Sequence, residues 1–114
     1  MLRDYKTYLD DIGEAIGKIS RYTAGLTIET LADDEKTLDA VLRNLEIIGE
    51  AVKNLPDEIR QQHTETEWKK IAGLRDILIH RYFGIDLEII WDILQNKLPL
   101  LALQIQQILA DNPD

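Results

Sequence analysis

The sequence predicts an all-α fold, an antiparallel bundle of four long helices with one or two short connecting helices. Apolar residues recur every three or four positions along most of the chain, and no stretch alternates apolar and polar residues as a β-strand does. Glycine and proline stand near the points where this periodicity breaks. Because domains usually contain about 100–150 residues, we expect a single helical domain over residues 1–114.

The first half of the chain contains two long helices with a short element between them. Apolar residues step by three and four through residues 2–22, and we expect Gly25 to end this first helix. Residues 27–31 predict a short turn or helix. The second long helix should start at Asp33 or Asp34, where acidic side chains favour a helix N-terminus. Its expected core face consists of Leu38, Val41, Leu42, Leu45, Ile48 and Val52.

A proline separates the second long helix from a short one. Pro56 should stop the long helix and open a short helix over residues 57–62, because proline is tolerated in a first turn. The pattern Thr64-x-x-Glu67 then predicts a capping box at the start of the third long helix. We expect Gly84 to terminate that helix.

The last helix is expected to start after Asp86, which can cap it, and to run to about Ala110. Pro99 falls inside this span. A proline in a helix interior lacks the backbone N–H and clashes with the preceding turn. It should therefore kink or split this helix.

The charge of the chain is unevenly distributed. A net charge of −8 argues against broad, non-specific binding of nucleic acid. Between Trp68 and Phe83, however, the charged residues are Lys69, Lys70, Arg75 and Arg81 against Asp76 alone. This basic segment on an acidic body fits a small phosphate site better than a long nucleic-acid track, and it equally fits docking against an acidic partner.

The composition excludes several classes of protein. The chain has no cysteine, so disulfides and thiolate metal sites are ruled out. No apolar run reaches the roughly 18–20 residues of a membrane span, and the start lacks a signal-peptide core, so we expect a cytoplasmic protein. The two histidines are not spaced as a metal-binding pair on a helix, and no glycine-rich phosphate loop is present. We expect no metal and no cofactor.

The candidate site lies in the segment from Gly73 to Gly84, which contains Arg75, His80 and Tyr82. An arginine can hold a phosphate through paired donors, and a histidine can transfer protons near neutral pH. Together these groups suit phosphodiester chemistry. Taken singly, each has a structural explanation: a solvated arginine, a structural histidine and a tyrosine that packs in the core.

Helical geometry limits how these residues could act together. Asp76 and His80 are four apart and share a face, so the carboxylate can orient the imidazole. Arg75 and Tyr82 project within about 20° of each other. Arg75 and His80, however, are separated by about 140° around a regular helix. They can meet at one phosphate only if the last turn unwinds or if a second copy of the chain completes the site.

A second strip on the long middle helix could form a helix–helix seam. Small and apolar residues step by four, three and four through Ala40, Asn44, Ile47 and Ala51, beside the core face. This seam could contact a second copy and form a homodimer interface. It could also contact a neighbouring helix of the same bundle, and the sequence leaves both interpretations open.

The spacing Arg75-x4-His80-x-Tyr82 resembles the motif of the HEPN superfamily. More narrowly, the chain looks like the HepT-type ribonuclease toxins that are paired with a small MNT-type nucleotidyltransferase antitoxin, in what are termed type VII-like systems. The likeness extends to residues 38–56, to residues 68–73 and to the segment after the motif up to Asp86. It therefore covers nearly the whole chain.

This resemblance implies a metal-independent endoribonuclease that acts on RNA as a homodimer and leaves a 2′,3′-cyclic phosphate. Arg75 and His80 would be catalytic, and Asp76 would orient His80. Tyr82 would contact RNA and would also receive AMP from the nucleotidyltransferase, which neutralises the toxin. The alternatives are a non-catalytic HEPN module that binds a nucleotide or docks a nucleotidyltransferase, and a purely structural helical adaptor.

Overall fold

The computed structural model describes residues 4–74 and 86–112, and these residues form helices and connecting turns. The predicted all-α fold is confirmed. The elements are α1 (Tyr5–Thr23), α2 (Ile28–Asp33), α3 (Glu35–Lys53), α4 (Asp57–Gln62), α5 (Trp68–Ala72), α6 (Leu87–Asp92), a π-helical segment (Ile93–Lys97) and α7 (Leu98–Asp111). The predicted third long helix is described only at its start, and its expected end at Gly84 lies outside the described residues.

The boundaries of the first three helices follow from local capping. Gly25 has φ of 78°, a left-handed conformation that costs glycine little, and it lies just beyond the end of α1 as predicted. Thr27 and Thr30 form a reciprocal capping box at the start of α2. Asp34 caps α3, because its carboxylate accepts from the backbone N–H of Thr37 at 3.1 Å and from the Thr37 hydroxyl at 2.7 Å. These hydrogen bonds lower the pKa of Asp34.

The predicted capping box at Thr64 is wrong. Glu67 is the N-cap of α5, and its side chain binds Lys70 rather than reaching back to Thr64. A tight turn replaces the expected first helical turn, because the backbone N–H of Thr66 donates to the carbonyl of His63 at 3.2 Å. The short helix α4 after Pro56, in contrast, has the predicted bounds.

The last helix is not split at Pro99, where the sequence predicts a kink or a split; it continues through the proline and changes its winding just before it. Asp86 caps it by accepting from the backbone N–H groups of Glu88 and Ile89 at 3.1 and 3.3 Å. Just before the proline, the N–H of Leu98 donates to the carbonyl of Ile93, five residues earlier. Because Pro99 has no N–H to continue the regular ladder, the wider π turn absorbs the interruption.

One cluster of buried apolar side chains joins the helices, with α1 packed along α3 and both α1 and α3 contacting other elements. The predicted core face of α3 is confirmed, with Val41, Leu45, Ile48 and Val52 fully buried. None of the helices in residues 4–74 and 86–112 has the length and apolar composition needed to cross a bilayer.

Candidate functional site

The residues with the predicted chemistry lie between the two described parts of the chain. Arg75, Asp76, His80 and Tyr82 fall outside the described residues, so their predicted roles stay predictions. The structure describes both flanks of this segment. Leu74, on one side, is buried, and Asp86, on the other, caps α6. The described part of the candidate site therefore consists of the elements on either side of the motif segment.

The flank before the motif is anchored by Trp68. Its side chain is buried, and its indole Nε1 donates to the backbone carbonyl of His63 at 2.9 Å. A contact with the last helix holds the same turn, because the side-chain amide of Gln104 donates to the carbonyl of Glu65 at 3.3 Å. A buried aromatic ring with a satisfied N–H is a strong positional constraint. The helix that leads into Arg75 thus starts from a fixed point.

An apolar groove of about 500 Å³ lies between this flank and the last helix. Gly73 and Leu74, which immediately precede the motif, form part of its lining. Leu100, exposed by about half, also lines it, and Leu103 on the same helix is 65% exposed. Side chains of both charges border the groove, namely Glu65, Glu67, Lys70, Asp92 and Lys97.

A second, shallower depression has a basic lining. It has a volume of about 600 Å³ and is bordered by Arg60, Thr64, Thr66, Glu67, Trp68, Lys69 and Lys70, and we refer to it as the basic depression. Lys69 and Lys70 belong to the basic segment recognised in the sequence. Arg60 does not, because it comes from α4, and the structure adds it to them. Pro56, which sets the start of α4, is the sequence feature that could have indicated the position of Arg60.

Two ion pairs organise this depression. Arg60 pairs with Asp57 one turn earlier on α4. Lys70 pairs with Glu67 at 2.8 Å, and this hydrogen bond raises the pKa of Lys70 and lowers the pKa of Glu67. Both partners of the second pair therefore stay charged across the neutral range.

The predicted seam on α3 is partly covered by the chain itself. Asn44 and Ala51 are buried, whereas Ala40 and Ile47 are half-buried. The Asn44 side-chain amide donates to the carbonyl of Ala40 at 2.8 Å. Its Oδ1 is buried and has no hydrogen-bond partner among the described residues. Burial of Asn44 and Ala51 agrees with packing inside the bundle. The homodimer interface over Ala40, Asn44, Ile47 and Ala51 stays a prediction.

Metal-binding residues do not cluster in the described part of the chain. Within residues 4–74 and 86–112, no group of three or more histidine, aspartate or glutamate side chains is arranged to hold a metal ion. His63 is buried, and its Nδ1 lies 3.7 Å from a carboxylate oxygen of Glu65. Its backbone carbonyl, which accepts from Trp68, has a structural role in the turn.

Comparison with known proteins assigns the chain to a family. Residues 12–108 match the family described as Ribonuclease HepT-like. A Methanocaldococcus jannaschii protein whose name describes it as a putative RNase is 46% identical over 96% of this chain and 90% of its own length. A protein from Thermococcus cleftensis, named "Probable ribonuclease HepT", is 45% identical over 89% of this chain and 92% of its own length. No solved structure matches the chain.

The chain therefore belongs to the HepT-like ribonuclease family of the HEPN superfamily. The resemblance recognised from the motif is confirmed at this level. The matched range includes the whole segment from Gly73 to Gly84, so the motif lies within the region of similarity.

Proposed function

We propose that this protein is a metal-independent endoribonuclease and the toxin of a HEPN/MNT toxin–antitoxin pair. The single observation that carries the proposal is the presence of Arg75, His80 and Tyr82 at the motif spacing in a chain that belongs to the HepT-like ribonucleases. The names of its relatives, which describe ribonucleases, support the class of substrate.

The proposed reaction is an internal transesterification of RNA. The 2′-hydroxyl attacks the adjacent phosphorus, its proton leaves to a general base, and the bond from phosphorus to the 5′-oxygen breaks as that oxygen gains a proton. The products are a 2′,3′-cyclic phosphate and a 5′-hydroxyl. His80 acts as the general base or acid, a role that contributes about 10²–10⁴-fold to a rate. Arg75 holds the phosphate and stabilises the charge that develops on its oxygens.

The remaining residues of the motif support this pair. Asp76 lies four residues before His80 and orients the imidazole while favouring its protonated form. Tyr82 contacts RNA near the scissile phosphate, where an aromatic ring can stack on a base. Because Arg75 and His80 diverge by about 140° on a straight helix, we propose that two copies form a homodimer in which each completes the site of the other.

We also propose a partner and a compartment. An MNT-type nucleotidyltransferase, acting as antitoxin, transfers AMP to Tyr82 and so blocks the site. Toxin, antitoxin and RNA target would all be found in the cytoplasm. The basic segment from Lys69 to Arg81, on a chain of net charge −8, supports a site that attracts phosphate locally.

The test is cleavage of RNA by the purified protein in the presence of EDTA. We expect cleavage to persist with the chelator, to yield cyclic phosphate ends, and to disappear in Arg75→Ala and His80→Ala while the circular dichroism spectrum stays unchanged. Loss of cleavage with EDTA and its return with Mg²⁺ would overturn the metal-independent mechanism. RNA or nucleotide binding without any cleavage would instead favour the non-catalytic HEPN module.

A further inference from the structure

The basic depression brings together cations from two separate helices. Arg60 lies on α4, whereas Lys69 and Lys70 lie on α5, and the turn with Thr64 and Thr66 runs between the two helices. Three cationic side chains and one carboxylate, that of Glu67, line the depression. The lining of the depression is therefore positive, whereas the protein as a whole has a net charge of −8. The depression adjoins the helix that leads into the motif.

The three cationic side chains differ in whether they form ion pairs. Arg60 pairs with Asp57, and Lys70 pairs with Glu67. Lys69 is exposed, and no carboxylate in the described part of the chain forms an ion pair with it. An exposed and uncompensated lysine next to two compensated cations provides a positive charge that an incoming anion can neutralise.

Two polar groups at this depression also lack partners. The hydroxyl of Thr66 is buried, on a side chain that is 3% exposed, and makes no hydrogen bond with any described residue. The Nε of Arg60 is in the same condition. A buried donor without an acceptor is unfavourable, because its bonds to water are lost and not replaced. Both groups can donate a hydrogen bond, and an anionic oxygen is the kind of ligand that could accept it.

We propose that the basic depression is a second phosphate subsite, which holds the backbone of the RNA a few nucleotides from the bond that is cut. This inference rests on the proposed ribonuclease function. Lys69 precedes Arg75 by six residues, so their Cα atoms lie at most about 22 Å apart whatever the intervening conformation. One strand can therefore contact both residues. An acidic protein gains from such a subsite, because a single phosphate contact offers little attraction against the repulsion of its own charge.

The chemistry favours a phosphodiester backbone over a base or a protein carboxylate. Lysine acts as a point charge for phosphate, and arginine offers a planar fork of donors that matches phosphate oxygens. Among the described residues that line the depression, the one aromatic side chain is Trp68, which is buried and already hydrogen-bonded and so is unsuited to stacking with a base. The subsite should therefore bind RNA without preference for sequence.

The test measures binding of a fluorescent single-stranded RNA of about twelve nucleotides as salt is varied, with His80→Ala in every protein to prevent cleavage. Lys69→Gln removes one charge from an exposed side chain. For single strands each phosphate contact contributes about 0.7 to the salt slope. We therefore expect a slope shallower by about 0.7 and an affinity roughly fivefold lower at 0.1 M salt. Arg60→Gln should act in the same direction, with thermal unfolding as a check on α4.

Lys36→Gln is the matched control. Lys36 is an exposed lysine at the start of α3, and α4 follows the far end of that helix. The length of α3 places its far end about 25 Å from Lys36. This variant should bind RNA like the unmodified protein. If Lys69→Gln and Lys36→Gln give the same affinity and slope, the subsite does not exist. If Lys69→Gln weakens binding of the nucleotidyltransferase and leaves RNA binding unchanged, the depression serves an acidic partner and the proposal is wrong.

A second substrate separates this proposal from the proposed function. A dinucleotide has only the scissile phosphate, so it cannot reach the subsite. With His80 intact, Lys69→Gln should cleave the dinucleotide at the unmodified rate and the longer RNA at a several-fold lower kcat/KM. Absence of cleavage of any RNA by the unmodified protein overturns the ribonuclease function. Equal loss on both substrates retains that function and overturns the subsite.

Discussion

The indole Nε1 of Trp68 donates a hydrogen bond to the backbone carbonyl of His63 at 2.9 Å. This bond joins the first residue of α5 to the residue that follows α4, and both Trp68 and His63 are buried. It fixes where the helix that leads into the motif starts. Arg75 follows Trp68 by seven residues in the sequence.

Trp68→Phe removes this hydrogen bond and part of the buried ring. We expect the free energy of unfolding to fall by about 1–3 kcal/mol, from the lost bond and the small cavity. RNA cleavage should fall further than the lost stability explains, because the motif helix loses its anchor. Urea denaturation and cleavage assays below the transition measure the two effects.

Trp91→Phe, at a half-buried tryptophan on α6, should reduce stability less and leave cleavage intact. Equal effects of the two substitutions on cleavage would contradict the anchoring role.

The cap at the start of α3 predicts a pH dependence of stability. Hydrogen bonds from Thr37 lower the pKa of Asp34 below its ordinary value of 3.8. The folded state therefore binds its proton less readily than the unfolded state does, and the contribution is present above the unfolded pKa. We expect the melting temperature of Asp34→Ala to lie below that of the unmodified protein by a constant margin well above pH 3.8, and the margin to shrink as the pH falls through and below that value.

Asp39→Ala serves as the control, since Asp39 is an exposed carboxylate on the same helix. Its melting temperature should follow that of the unmodified protein across the same pH range. A margin for Asp34→Ala that stays unchanged down to pH 2 would show that the charge of the carboxylate does not contribute, and that the cap acts through its oxygen alone.

The sequence was sufficient where structure is decided locally. Gly25, Asp34, Pro56 and Asp86 each determine a helix end through groups within a few residues. Each was predicted as a boundary, with Asp33 as the alternative to Asp34. The π-helical turn before Pro99 has the same origin, because one missing N–H forces the backbone to rearrange nearby.

The sequence was insufficient where a contact with another element decides. Thr64-x-x-Glu67 matches the sequence pattern of a capping box. The hydrogen bond from Trp68 to His63 instead holds these residues in a turn, and α5 starts only after Glu67. Helical spacing placed Asn44 and Ala51 on one strip without showing that the chain itself would cover them. In the same way, Arg60 joins the basic segment only because α4 folds back beside α5.

The proposed homodimer can be assigned to a surface by two substitutions. Ile47→Asp places a charge on the half-buried strip of α3, and Leu103→Asp places one on the exposed face of α7. If the strip of α3 is the interface, Ile47→Asp should raise the dissociation constant of the dimer at least tenfold, which corresponds to about 1.4 kcal/mol. Cleavage should fall in parallel if the site is composite, as proposed. Analytical ultracentrifugation measures the first effect.

Leu103 is 65% exposed, so its replacement by aspartate should leave the fold intact and acts as a matched control. Dissociation by Leu103→Asp alone would move the interface to the last helix, beside the apolar groove. A monomer at micromolar concentration for the unmodified protein would contradict the composite site altogether. Thermal unfolding of both variants separates loss of the dimer from loss of the fold.

Tyr82 is the proposed target of AMP transfer, and co-expression with an MNT-type nucleotidyltransferase, the proposed antitoxin, provides the test. We expect the intact mass to rise by one or more AMP units. Each added unit places a phosphodiester charge two residues along the chain from His80 and seven from Arg75. That charge can occupy the arginine and repel the RNA backbone, in the same manner as phosphorylation acts through local charge. The modified protein should therefore have lost both cleavage and binding of RNA.

Two tyrosine substitutions distinguish a specific switch from indiscriminate transfer. Tyr82→Phe should abolish the mass increase, and the co-expressed nucleotidyltransferase should then fail to inhibit cleavage. Tyr22→Phe is the control, because Tyr22 on α1 is 42% exposed and offers another enzyme a second reachable phenol. Tyr22→Phe should receive AMP to the same extent as the protein without substitutions.

An unchanged mass in the presence of an active nucleotidyltransferase would rule out the switch. A mass increase that persists in Tyr82→Phe but disappears in Tyr22→Phe would show that AMP is transferred to Tyr22 and not to Tyr82. In that case the added charge would lie on α1, and inhibition would need a cause other than competition for Arg75.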